Sequence, residues 1–176
     1  LSFVNADVTG RSSGVYGYDI DIKQAATRST HTGTAALTQQ IIDAEEQITI
    51  TESGRSVNFR TTAGTNIEQT MNQLSNAMKE AGINVELIRP KGDAASRNAP
   101  QTLTFRHKKF GSEHYFQVAS NTAGLLSKTA DVSEKVKNGI DVVGEIAKEG
   151  AIGRGQILTG KGGFGSKAEG ISIRYS

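Results

Sequence analysis

Several sets of side chains in this 176-residue chain have the types and spacing for chemistry, and each also has a plain structural explanation. The run Gly155-Gln156-Ile157-Leu158-Thr159-Gly160-Lys161-Gly162 places four residues between two glycines and then a lysine. That spacing is found in loops that cradle nucleotide phosphates with main-chain N–H groups and a lysine. Such a loop also needs Ser or Thr after the lysine to hold Mg²⁺, must follow a strand and must open a helix. Here Gly162 stands in the hydroxyl position and Gly163 and Gly165 come next, so the favoured reading is a glycine-rich connection between two strands.

His31, His107 and His114 are the imidazoles available as metal ligands or bases. His107 and His114 flank an expected turn, but no third ligand or supporting carboxylate has characteristic spacing, although Glu113 is adjacent. The expectation is that both are solvated strand residues. Arg106, Lys108 and Lys109, beside Phe105 and Phe110, could touch phosphate, yet a charged hairpin tip that blunts a sheet edge explains them as well. Asp19, Asp21, Glu45 and Glu46 are neighbouring carboxylates, of which Asp19 and Asp21 share the expected wet face of one strand. No G-x-S-x-G turn that would expose a nucleophilic serine occurs. No catalytic, cofactor-binding or metal-binding residue is therefore assigned, and no cofactor is expected.

Composition narrows the classes further. The absence of cysteine excludes thiolate catalysis, Cys-ligated metals and disulfides, and leans toward a chain that works outside the cytosol. A formal charge of +2 provides no strong field for nucleic acid or anionic lipid, so neither nucleic acid nor membrane is an expected partner. No apolar run approaches the roughly 20 residues of a spanning helix. The chain opens at Leu1 with neither an initiator Met nor a charged-then-apolar leader, which suggests a piece of a longer protein.

The elements that must position these residues are mostly strands. Residues 15–23 alternate Tyr16, Tyr18, Ile20 and Ile22 with smaller or charged residues, while 24–38 read as extended or looped. Residues 47–51 and 55–60 form an expected hairpin around Ser53-Gly54. Thr65 with Glu68 three positions later suggests a capping box, and Ile67, Met71, Leu74, Met78 and Ala81 recur at helical spacing before Gly82. Strands follow at 83–88, 102–107 and 114–120, with a polar proline-containing loop at 89–100. Residues 132–138 read as a weak helical piece, 140–146 as a strand after the Asn138-Gly139 turn, and the end as glycine-rich β.

The fold class is α+β, mostly antiparallel β with one main helix at about 66–81 in a β-β-α-β-β-β unit, plus a Gly-rich β segment at the C-terminus. The expected division is 47–120 as one unit and 1–46 with 121–176 as a flanking β-rich subdomain. In that subdomain the closing strand could pair with the strand opening at Val15.

Three runs in the last third carry a specific signal: Asp141-Val142-Val143-Gly144-Glu145-Ile146, then 153–160, then Glu169-Gly170-Ile171-Ser172-Ile173-Arg174-Tyr175. Together they resemble the flagellin hook motif of the outer domains of bacterial flagellins and hook-associated proteins. The chain departs from that pattern where the family's usual Asn-Gly turn would fall, with Lys148-Glu149-Gly150 in its place. Residues 18–28 are similar to the strand and "QAATRA" segment that opens such domains, and 103–116 to a strand-turn-strand of the same proteins.

The resemblance implies a structural, non-catalytic, extracellular role as the surface-exposed domain of a flagellin-type filament subunit. The alternative within the same machine is a middle domain of the filament cap, hook-associated protein 2. Implied partners are other filament subunits, through regions outside this chain, with host-surface or antibody contacts at the exposed face. A secreted adhesin or glycan-binding domain is the alternative of another class; the absence of Trp leaves it little surface for stacking sugars. The structural motif residues on this reading are Gly153, Gly155, Gln156, Leu158, Thr159, Gly160, Gly170, Arg174 and Tyr175. Gln156 and Thr159 are expected to hydrogen-bond the turn backbone, with Arg174 on the wet face of the closing strand.

Overall fold

The computed structural model describes residues 1–7, 10–89, 91–163 and 165–176. Val8 and Thr9 of the opening segment, Pro90 of the polar loop and Phe164 of the glycine-rich stretch lie outside the described residues. The elements run β1 (Ser2–Asn5), β2 (Ile20–Gln24), β3 (Arg28–Leu37), α1 (Gln39–Asp43), β4 (Gln47–Glu52), β5 (Arg55–Arg60) and α2 (Ile67–Glu80). They continue with β6 (Val85–Ile88), α3 (Ala94–Asn98), β7 (Gln101–Phe110), β8 (Gln117–Ser120) and β9 (Glu134–Lys135). The last four strands are β10 (Val143–Ile146), β11 (Glu149–Arg154), β12 (Ile157–Gly160) and β13 (Ser172–Arg174). The class is α+β and mostly antiparallel β, as the patterning implies.

Packing divides the chain into two units. The helical unit is Ser29–Lys108 with Tyr115–Asn138; the sheet unit is Leu1–Arg28, Lys109–His114 and Gly139–Ser176. Where the sequence reading draws its boundaries at 47 and 120, packing extends the helical unit to Ser29 and Asn138 and hands 109–114 to the sheet unit.

In the helical unit, β4 and β5 pair from Gln47↔Arg60 to Glu52↔Arg55. Their two-residue connection, Ser53 (φ 49°) and Gly54 (φ 77°), has the doubly left-handed backbone whose twist matches that of the flanking strands. The helix α2 carries a capping box one residue later than the sequence pattern suggests. Asn66 Oδ1 accepts from Gln69 N at 2.8 Å, and Gln69 Oε1 accepts from Asn66 N at 3.1 Å. The shift has a local cause: the Thr65 hydroxyl is used in the preceding turn, donating to Thr62 O at 2.7 Å, and Glu68 pairs with Arg97.

The apolar stripe Ile67, Met71, Leu74 and Met78 is buried against Ile48, Ile50, Leu103, Phe105, Phe116 and Val118. These residues join the helix to two sheets, ordered β3-β7-β6 and β5-β4-β8-β9. Leu74 is 1% exposed, so Leu74→Ala should destabilise the unit by about 2–5 kcal/mol through lost burial and a residual cavity. An unchanged urea midpoint and slope would show that the stripe does not hold the core.

Residues 24–38, read as extended or looped, contain the ten-residue strand β3. Two sequence expectations are corrected in this unit. The loop at 89–100 contains the short helix α3, capped by Asp93, whose side chain accepts from Ser96 N. The expected helical piece at 132–138 is the strand β9, paired to β8 at Gln117↔Lys135 and Val118↔Glu134, with Val136 buried.

The sheet unit is a six-stranded sheet in the order β1-β13-β12-β11-β10-β2, over a core of Val142, Ile146, Leu158, Ala168, Ile171 and Ile173. The strand expected from residue 15 begins only at Ile20. Val15 and Tyr16 stand fully exposed on a turn bridged between Gly14 and Gly17, and so bury no face. The closing strand accordingly pairs with β1 and β12, while β2 pairs with β10. Where the resembled family has Asn-Gly, a two-residue turn of Ala147 (φ 55°) and Lys148 (φ 65°) joins β10 to β11.

Candidate functional site

The glycine motif of the sheet unit builds a hairpin. β11 and β12 pair from Ala151↔Gly160 to Arg154↔Ile157, leaving Gly155-Gln156 as the connection. Gly155 has φ +55°, and a Cβ there would lie 2.9 Å from Phe110 O. Both of its main-chain polar groups are committed, N donating to Asp141 Oδ1 at 2.7 Å and O accepting from Val142 N at 2.9 Å. Gln156 contributes through its carbonyl, which accepts from Tyr175 N at 2.8 Å. Thr159 does not bond the turn. Register places it opposite Ser172, and the two hydroxyls meet at 2.9 Å across β12 and β13. Leu158 is buried, Arg174 is exposed, and Gly170 (φ 70°) precedes β13.

Asp141 is the residue whose role the sequence does not announce. Its carboxylate accepts from Gly155 N, from Ser112 N at 3.1 Å and from the Ser112 hydroxyl, fastening three separate stretches of chain. Burial works to raise its pKa, but the Ser112 hydroxyl and the Gly155 and Ser112 N–H groups outweigh it and hold the carboxyl below the ordinary range. A carboxylate that accepts three hydrogen bonds from two other stretches of its own chain acts as a fastener.

The phosphate-loop spacing at 155–162 does not form a phosphate loop. Residues 157–160 are a strand paired on both sides, the Gly160 N–H is taken by Ile171 O at 2.9 Å, and no helix follows Gly162 among the described residues. Lys161 is exposed just beyond the strand. We therefore expect Gly155→Val to cost roughly 1–3 kcal/mol through backbone strain, with Lys161→Ala near zero. Calorimetric titration with ATP and Mg²⁺ checks the assignment: saturable binding abolished by Lys161→Ala would overturn it.

The three histidines do not converge. His31 Nε2 lies 2.7 Å from Leu126 O. His107 is not solvated: it is 1% exposed, with Nε2 at 3.4 Å from Oε1 of Glu52, itself 5% exposed. His114 is half-buried and belongs to the other unit. Among the described residues no group of three or more His, Asp or Glu could hold a metal.

The basic cluster is not a hairpin tip either, because β7 runs unbroken through Lys108 and Lys109 to Phe110. Arg106 pairs with Glu86 at 2.8 Å, Phe105 is fully buried, and the Arg28 guanidinium lies 4.3 Å over the Phe110 ring. Of the carboxylates, Asp19 and Asp21 are exposed. Glu46 is buried and accepts from Thr122 N at 3.0 Å and Thr122 Oγ1 at 2.6 Å. Sequence reasoning misses the buried Glu46, Glu52 and His107 because polar side chains carry no apolar signal.

No family model matches the chain, and no curated protein matches it. Its fold, however, has been seen before, in the D2-D3 domains of flagellar cap proteins. It resembles the FliD D2-D3 domains from Serratia marcescens at 13% identity, covering 99% of this chain and 92% of that one, with a TM-score of 0.60. The FliD D2-D3 domains from Escherichia coli are similar at 13% identity, 99% and 88% coverage and a TM-score of 0.60. Against the E. coli D1-D2-D3 structure the match covers 88% of this chain and 46% of that one, with 12% identity and a TM-score of 0.54. At these identities the likeness is one of fold.

Proposed function

We propose that this chain is the outer-domain pair of a bacterial flagellar filament cap protein, a structural and non-catalytic part at the extracellular tip of the filament. The observation that carries the reading is the fold likeness to FliD D2-D3 domains over almost the whole of both chains. The hook-like motif supports the same machine, since its three runs supply β10, the last two residues of β11, β12 and β13 of the sheet unit. Sequence resemblance alone puts flagellin first and the cap second; the fold likeness favours the reverse order.

On this reading the partners are other flagellar subunits, and the exposed faces meet host surfaces or antibodies. The site residues act as a scaffold: Gly153, Gly155 and Gly160 let strands approach, and Asp141 ties the turn. The reading is tested by immunogold labelling of intact flagella with antibody raised against this chain. Gold confined to the filament tip is expected. Gold along the whole shaft would overturn the cap in favour of flagellin, and flagella without gold would overturn both.

A further inference from the structure

The strained turn between β10 and β11 stands at the rim of a groove that has no role in the scaffold. We propose that this groove, of about 500 Å³, binds an anionic saccharide of one or two rings carrying sulfate or carboxylate groups. Three cations from three separate stretches line it: Arg11, Lys148 and Lys167. Asp19 is the one carboxylate on the lining, so the groove carries an excess of positive charge. Arg11 and Lys148 have no acidic partner among the described residues. The charge of Lys167 acts in part on the Glu149 carboxylate, which also accepts from the Ser166 hydroxyl at 2.6 Å and the Lys167 main-chain N–H at 3.1 Å, so Arg11 and Lys148 are the cations the groove has to spare.

The backbone supplies an independent observation. Ala147 and Lys148 are consecutive L-residues with left-handed φ, a conformation that glycine or asparagine adopts at lower cost. The turn is held there by Ala147 N donating to Asp19 O at 2.8 Å, which fixes Lys148 against the segment bearing Asp19. The two-residue hairpin imposes that backbone, and it is Lys148 that the turn places on the groove lining. The Tyr18 hydroxyl donates to Arg11 O, tying the segment that carries Arg11 to the residues that lead into β2.

The remaining lining chooses the ligand class. Ser12 and Ser13 present hydroxyls, and Gly14 and Gly17 present main chain without side chains. That surface suits the hydroxyls of a sugar ring, whereas the apolar side chains Phe3, Ile20, Ile171 and Ile173 line a neighbouring groove that shares Arg11, Ser12, Ser13 and Tyr18 with it. Recognition would rest on charge and hydroxyls, so it does not require the tryptophan that the chain lacks.

The test is calorimetric titration of the chain at low salt with a sulfated heparin disaccharide, digalacturonate, lactose and inorganic sulfate. Saturable binding of at least one anionic disaccharide, with lactose and sulfate much weaker, is expected, and the better arm identifies sulfate or carboxylate as the group read. Arg11→Gln and Lys148→Gln should each weaken it about three- to fivefold, as for loss of one exposed ion pair, whereas Lys91→Gln, in the helical unit, should not. Lys148→Gly separates a folding effect from a binding one: relief of strain should raise the melting temperature while affinity falls. No saturable binding, equal affinity for lactose or sulfate, or an equal loss in Lys91→Gln would each overturn the proposal.

Discussion

Gly153→Ala should prevent the six-stranded sheet from closing, with a loss of at least about 4 kcal/mol. A Cβ at Gly153 would lie 1.7 Å from the carbonyl oxygen of Val142 and 2.8 Å from its carbonyl carbon. Both clashing atoms are main chain, so no rotamer change relieves them. Val142 cannot retreat, because its side chain is 1% exposed in the core and its N–H is held by Gly155 O. A matched control lies in the same strand. Gly150 has open space where its Cβ would stand, and Gly150→Ala should be near neutral. Urea unfolding followed by circular dichroism reads both variants, and equal midpoints would refute the close-approach argument.

Gly153 also shows what kind of information the chain carries in legible form. Dense glycine between short apolar pieces signals that some positions tolerate no side chain, but not which carbonyl stands in the way. The α2 stripe was legible because a period of 3.6 with large apolar residues has one solution, and the 47–60 hairpin because Ser53-Gly54 separates two β-rich runs. β3 was legible only as extended or looped: its buried positions are Ser29, Gly33 and Leu37, so no apolar alternation marks it as a strand. Gly33 is a packing residue there, since a Cβ would meet Leu125 O at 1.9 Å.

Around residue 15 the opposite error arises. Val15 and Tyr16 look like strand residues, yet the Gly14–Gly17 turn turns them outward. At the motif, Gly155 was identifiable as a turn glycine, while the partner of Thr159 depends on the register with β13, which local sequence does not contain. Asp141 and Glu52 escaped for a common reason. Their roles come from donors far along the chain, Ser112 and Gly155 for one, Asn84 and His107 for the other.

Glu52 supplies the second large effect, in the helical unit. Its carboxylate ends β4 almost fully buried, accepting from the Ser53 hydroxyl, from Asn84 N at 3.2 Å and facing His107 Nε2 at 3.4 Å. Glu52→Ala leaves Asn84 N–H and a buried imidazole without their acceptor, and should cost about 3–5 kcal/mol. The pH dependence follows from the direction of its pKa. Burial acts to raise it, but the Ser53 hydroxyl, the Asn84 N–H and His107 together hold it below the ordinary value. A carboxyl that is more acidic folded than unfolded contributes stability above its unfolded pKa, about 4.3, and that contribution fades as pH falls through the folded value. Glu52→Gln keeps an acceptor oxygen and removes the titration, so the stability difference between it and the parent chain should shrink as pH is lowered below about 4.3. Asp43 and Asp93, also held low by N–H groups of Gly64 and Ser96, titrate in both proteins and cancel in the difference. Urea midpoints at a series of pH values give the curve; a difference that stays constant from neutral pH down into the acid range would show that Glu52 is not ionised in the folded unit.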